Sequence, residues 1–219
     1  VWIDGSVTIE GTISVLNGYV NFKQADGAAA VLTGNITNDS MFTIPENGHV
    51  SFSDISFVSS GYGKAIESGE SGSELLIENC SFSGFSYGLY QWRQSNTVVI
   101  EGCTFTENDT AIYVISAGGA TRISDTVIRD NVYGIYTVWS NIYLNDVEIS
   151  DNTAGILKED SLSFNLYLGG KITVSGNETN AQLKKCNIYL SEALDEESEF
   201  RFNMEVSVGT TLIAQGYGD

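Results

Sequence analysis

Tyr90, Tyr113 and Tyr136 stand 23 residues apart, and each directly follows an aliphatic residue: Leu89, Ile112 or Ile135. Where successive side chains point to opposite faces, that pattern sends the aliphatics inward and the tyrosines outward. Trp92 lies two residues beyond Tyr90 and Trp139 three beyond Tyr136, with Tyr87 and Tyr133 just before. Aromatic side chains in a row suit two tasks: stacking on sugar rings and filling the centre of a protein interface. They also suit a third, in which the rings simply stack on one another and stiffen the chain that carries them. A second candidate set is acidic. Glu78 and Glu101 share one repeat position, and Asp125 and Asp146 occupy the neighbouring one. Carboxylates along one edge are the raw material of a calcium site, with Arg122 as the basic residue nearest in the pattern. A solvated acidic edge is the plainer reading, and no spacing demands a metal. The single histidine, His49, sits in Asn47-Gly48-His49, which fits a turn entering a strand.

These spacings belong to a longer pattern. Phe57, Phe82, Phe105, Ile128, Ile149 and Val174 form one column, at intervals of 25, 23, 23, 21 and 25 residues. Phe52, Ile77, Ile100, Ile123 and Leu144 form a second, and Ile66, Leu89, Ile112, Ile135 and Ile156 a third. The third is preceded by small residues: Ala65, Gly88, Ala111, Gly134 and Gly155. A repeat of about 23 residues whose apolar positions alternate with polar ones is the signature of a stacked solenoid. Each unit holds three short alternating runs separated by turn-forming residues. Asn108, Asn131, Asn152 and Asn177 each fall three residues after an inward position, where Asn tolerates the left-handed conformation and its amide bonds to its counterpart on the next coil. Asp54, Asn79, Gly102, Asp125 and Asp146 mark a second corner of the same kind.

Composition agrees. Glycine is frequent (23 residues) and proline nearly absent (1), while β-branched and aromatic residues dominate the periodic runs. A net charge of −18 argues against nucleic acid and against an anionic membrane surface as partners. No stretch approaches the ~18 consecutive apolar residues of a membrane span, and no signal peptide is present. The chain opens directly into strand-like Val1-Trp2-Ile3-Asp4, as expected of a fragment whose targeting and anchoring parts lie outside it. Cys80 and Cys103 share the inward column of Ile55, Thr126 and Val147. They read as stacked core thiols, because neighbouring in-register strands rarely offer the Cβ geometry of a disulfide.

The repeated order of an apolar residue, a turn Asn or Asp, Phe or Ile, then Asn and Gly-Ile-Tyr resembles the right-handed parallel β-helix repeats of the pectin-lyase-like superfamily. The resemblance covers about residues 50–160 well. Gly170-Lys171-Ile172-Thr173-Val174-Ser175-Gly176-Asn177, with Asn187-Ile188-Tyr189-Leu190, is similar to a segment of large surface and adhesin-like proteins of gut Firmicutes. Phe105-Thr106-Glu107-Asn108 resembles the FxxN motif of chlamydial polymorphic outer-membrane proteins. The first resemblance implies an all-β chain forming a single right-handed parallel β-helix with three-strand coils; the second implies an extracellular, bacterial cell-surface location. Residues 1–50 are expected to form irregular first coils and residues 51–190 regular ones. Residues 191–219 are expected to close the end, with Leu194 to Glu199 as a charged loop.

Polygalacturonase-type enzymes of that superfamily carry Asn-Thr-Asp, paired aspartates, Gly-His-Gly and Arg-Ile-Lys. None of these occurs, and Arg122-Ile123 continues with Ser124. The expectation is therefore a stalk or adhesin-like module with no catalytic residues, metal or cofactor, whose partner is a host or matrix protein or a cell-surface glycan. Its candidate binding residues are Tyr90, Trp92, Tyr113, Tyr136 and Trp139. The alternative is a polysaccharide-active lyase- or hydrolase-like domain, or a carbohydrate-binding one.

Overall fold

The structure is a computed structural model that describes residues 1–16, 18–69, 71–92, 96–158, 164–184, 186–202 and 211–213. It is a right-handed parallel β-solenoid of about eight turns with about 23 residues per turn. Every strand pair among the described residues is parallel, as a repeated path requires, and like residues meet across the coils. Ile77 lies between Phe52 and Ile100, Phe82 between Phe57 and Phe105, and Leu89 between Ile66 and Ile112. One coil shows the plan: Glu74–Glu78 belongs to the first sheet, Ser81–Ser83 to the second and Tyr87–Gln91 to the third.

The inward columns fuse into one apolar core that runs from Ile3 to Ile188. No coil could bury its face alone, because three strands of three to five residues leave both ends of the coil open. Within the core the phenyl rings stack along the axis. Phe57–Phe82 centroids are 4.7 Å apart with planes 3° from parallel, and Phe82–Phe105 are 4.6 Å apart at 7°. The early coils obey the same register despite their irregular sequence, with Phe22 opposite Phe52 and Leu32 opposite Phe57.

Two corners hold the path. At the first, Asp54, Asn79, Gly102, Asp125 and Asp146 all take the left-handed conformation, with φ between 48° and 63°. Glycine interrupts this column where an Asx side chain presses from the preceding coil. A Cβ on Gly102 would lie 2.5 Å from the Asn79 side-chain oxygen, and one on Gly170 2.5 Å from the Asp146 carboxylate.

The second corner corrects the expectation for the asparagines. The left-handed residue is the one before each Asn: Glu107 (57°), Asp130 (57°), Asp151 (55°) and Gly176 (75°). Turning the chain there frees the Asn side chain to point inward, where Asn108, Asn131, Asn152 and Asn177 are all buried. They form a continuous ladder, with Nδ2 to Oδ1 distances of 3.0, 2.9 and 2.8 Å from Asn108 down to Asn177. Each Oδ1 also accepts the backbone N–H of the previous Asn, and Asn131 Nδ2 donates to the carbonyls of Phe105 and Arg129. One side chain thereby satisfies polar groups from two coils.

Other details differ from the sequence reading. In the middle coils the third run of one coil continues into the first run of the next without a break, giving strands Thr110–Arg129 and Tyr133–Ser150. The acidic segment after Leu194 is an exposed loop, as expected, and it takes the form of a tight corner turn. Ser198 N–H donates to the Asp195 carbonyl at 3.0 Å, and Lys171 Nζ donates to Glu197 at 2.7 Å. Glu199–Phe200 then pairs parallel with Thr173 and Val174, so it extends the stack. Thr211–Ile213 pairs with Asn187 to Tyr189, and the rest of the expected closing segment lies outside the described residues.

The cysteines are buried free thiols. Burial pushes Cys80 up to about 12, Cys103 to about 11 and Cys186 to about 12, all from an ordinary 9.0.

Two outcomes follow from these contacts. Asn131→Ala removes the acceptor of the Asn108 N–H and the side-chain donor to the Phe105 carbonyl, at ~1–3 kcal/mol for each buried group, so unfolding in urea should shift by about 2 kcal/mol or more. Ser150→Ala, on the outside, should stay within about 0.5 kcal/mol. In alkali, the unfolded chain releases the thiol protons near 9.0 while the folded chain keeps them until about 11 to 12. Stability is therefore intact below pH 9.0 and falls as pH rises toward 12, and thermal melts of a Cys80→Ala/Cys103→Ala variant should show a shallower fall.

Candidate functional site

The third sheet brings Tyr90, Tyr113 and Tyr136 into one column, as their spacing predicts. Alternation along the strands explains the result: Leu89, Ile112 and Ile135 are fully buried, so their neighbours face out. Close approach of successive coils behind this strip needs the small residue before each aliphatic. A Cβ on Gly134 would stand 2.6 Å from the Gly155 carbonyl and 3.2 Å from Ile149.

The ring geometry decides what the strip offers. Tyr90 and Tyr113 stack at 4.9 Å and 8°, and Tyr113 and Tyr136 at 5.2 Å and 19°. Tyr87 packs edge-on against Tyr90 and Tyr113, and Tyr133 against Tyr136. Lys64 Nζ lies 4.7 Å from the Tyr90 centroid. Both faces of Tyr113 are thus covered by tyrosine, and Tyr90 is covered by Lys64 and Tyr113. The strip presents ring edges and phenol hydroxyls. Burial and the neighbouring tyrosines push the Tyr113 hydroxyl up to about 12, so at neutral pH it is a protonated donor.

Trp92 has a different task from that of an adjoining platform. Its indole turns back over the preceding coil, where Nε1 donates to Glu67 Oε1 at 2.9 Å, and Gly69 leaves the room it needs. Burial tends to raise the Glu67 carboxyl, but hydrogen bonds from Lys64, Ser40 and Trp92 hold it below its usual value. The Lys64–Glu67 pair, 2.8 Å apart, caps the N-terminal end of the strip. Trp139 stands one residue further from its tyrosine than Trp92 does. A register shift between Val114 and Ile115 places Trp139, not Val138, opposite Ile115. Trp92 and Trp139 remain 37% and 42% exposed, so both keep indole surface open to a partner.

The acidic candidates keep their expected columns. Glu78 and Glu101 are direct neighbours across the first sheet. Asp146 is occupied at its corner, where Oδ1 accepts the Lys171 N–H at 2.8 Å. Among the described residues no three His, Cys, Asp or Glu side chains converge as a metal site would require.

Sequence reasoning missed two features of the first sheet. His49 stacks on Tyr19 at 4.3 Å and its Nδ1 lies 2.7 Å from Glu74 Oε2. The 30-residue interval between Tyr19 and His49 falls outside the repeat length and hid the pair. A second tyrosine ladder runs from Tyr143 to Tyr167 (4.2 Å) and Tyr189 (4.7 Å), with the Arg122 guanidinium 4.9 Å from the Tyr143 centroid. Beside it Asn165 donates to Asn141 at 2.9 Å and Asn187 to Asn165 at 3.0 Å. The signal is the triplet Asn-x-Tyr recurring near the repeat length at 141–143, 165–167 and 187–189.

Comparison with curated proteins and with solved structures finds no match in either set. The family model described as "Right handed beta helix region" matches residues 19–188, most of the chain, in agreement with the parallel coils and the single core. The chain belongs to the right-handed β-helix family.

Proposed function

We propose that this chain is a non-catalytic module of a bacterial cell surface, adhesin-like or stalk-like, that holds a host or matrix protein along its third sheet. The observation that carries this reading is the tyrosine strip with two partly exposed tryptophans at its flanks, Trp92 and Trp139. Aromatic side chains already fixed by stacking lose little freedom when a partner covers them, which is why such residues dominate the energetic centres of interfaces. A protein partner suits the geometry better than a glycan stacked face-on, because the faces of Tyr90 and Tyr113 are occupied. A glycan would instead have to bond to the hydroxyl comb or stack on the indoles. Parallel coils also make a stiff, extendable support for such a strip, since each adds length without altering its neighbours.

The test is a panel of immobilised matrix proteins and a glycan array, probed with the wild type, Tyr136→Ala and Trp139→Ser. The expected result is retention by a matrix protein that falls about tenfold or more in each variant, as befits loss of an interface aromatic. Signal on the glycan array alone would move the partner to a carbohydrate. Silence on both, or binding indifferent to the two substitutions, would remove the strip from the function. The enzymatic alternative has its own check: cleavage of uronic-acid polymers, with and without Ca²⁺, that disappears in Glu78→Gln or Glu101→Gln would replace the binding module with a polysaccharide-active domain.

A further inference from the structure

The first sheet carries a groove of about 310 Å³ whose lining includes Tyr19, His49, Ser51, Glu74, Leu76 and Val99. It has no part in the tyrosine strip of the third sheet. Its floor is aliphatic: Leu76 and Val99 sit side by side on adjacent strands, facing out and only partly covered. The same column holds Ser51 before them and Arg122 and Tyr143 after them. Each end of the floor is closed. On the N-terminal side stand Asn21 and Ser51, flanked in the Glu74 column by the Tyr19–His49 stack, and on the C-terminal side Arg122 lies across the Tyr143 ring.

Charge is arranged around that floor in a regular way. In the strand Glu74–Glu78 the outward side chains are Glu74, Leu76 and Glu78, an acid–aliphatic–acid sequence at every second residue. The next strand reads Thr97, Val99 and Glu101, with a carboxylate on one side only. Outward side chains of an extended strand recur every ~6.6 Å, so Glu78 and Glu101 border the aliphatic floor on one side and Glu74 on the other at that interval. An extended segment laid over the floor presents its own side chains at the same interval.

We propose that this groove docks an extended segment of a partner protein in which lysine or arginine alternates with an aliphatic side chain. The central Val, Ile or Leu covers Leu76 and Val99, and the flanking cations meet Glu74, which also faces His49 Nδ1 at 2.7 Å, on one side and Glu78 with Glu101 on the other. Complementarity of charge selects this occupant. A chain of net charge −18 with carboxylates on both borders of the groove repels an acidic segment, and a wholly polar segment leaves the aliphatic floor in water. Backbone pairing plays no part, because the strand Glu74–Glu78 is already paired on both edges. Recognition therefore rests on side chains alone, and the affinity is modest and salt-dependent.

The probe is the peptide Lys-Thr-Val-Thr-Lys, blocked at both ends and carrying a fluorophore, titrated into the whole chain at low ionic strength. Two companions are Lys-Thr-Gly-Thr-Lys and Glu-Thr-Val-Thr-Glu. The valine peptide should bind about tenfold more tightly than the glycine one, the contribution of one buried aliphatic side chain. The glutamate peptide should not bind. Leu76→Thr, a residue that suits a strand, should bring the valine peptide down to the glycine level. Glu74→Gln and Glu78→Gln should each weaken binding about threefold, as for partly exposed ion pairs. Tyr136→Ala, on the other sheet, should leave it unchanged. Equal binding of the valine and glycine peptides, indifference to Leu76→Thr, or no binding of the valine peptide at millimolar concentration would each overturn the proposal. The first of these would reduce the effect to general attraction by an acidic chain.

Discussion

Every coil of this molecule depends on the coil beside it, because the vertical contact between like residues is where its strands pair and its inward side chains stack. The ladder of Asn108, Asn131, Asn152 and Asn177 shows the constraint at its most demanding. Each amide stands in the core, and each is satisfied by a neighbour one coil away. A buried amide without that neighbour would cost several times the value of the bond it makes. Phe57, Phe82 and Phe105 obey the same rule in apolar form, with rings held face to face. The energy of the fold is therefore close to a sum over adjacent coils, and the register, once set, propagates along the axis.

That dependence also explains what the sequence revealed and what it hid. Inward columns are legible because the core accepts little but large apolar residues at fixed intervals. The parallel fold, the repeat length and the register of the coils from Phe52 to Val174 follow from them. The left-handed corner from Asp54 to Asp146 is legible for a similar reason, since few residues tolerate that backbone. The second corner was misassigned by one residue. Asn is the usual left-handed residue, yet here Glu107, Asp130, Asp151 or Gly176 turns the chain and frees the Asn to point inward.

Outward residues obey weaker rules, so less of the surface could be read. Tyr90, Tyr113 and Tyr136 were found through their buried neighbours, but nothing in their spacing reveals that their faces are spent on each other. The destinations of Trp92 and Trp139 turn on local events: a bond to Glu67 and a register shift after Val114. The Tyr19–His49–Glu74 contact spans coils of unequal length, so column arithmetic passes over it. The surface is a by-product of the register at some positions and a free variable at others, and the free positions are where two binding surfaces of different chemistry have room to arise. The tyrosine strip is neutral and aromatic, whereas the groove at Leu76 is aliphatic and bordered by acid.

The register itself can be measured directly with nitroxide spin labels at outward positions of the second sheet, where Ser83 lies opposite Thr106. Adjacent parallel strands are ~4.8 Å apart, so a Ser83/Thr106 labelled pair should show strong dipolar broadening. A Val58/Thr106 pair, two coils apart at about 10 Å, should show clearly weaker broadening. Spectra of the Ser83/Thr106 pair that match the sum of its two single-label spectra would contradict the stacked register, and with it the account of both surfaces.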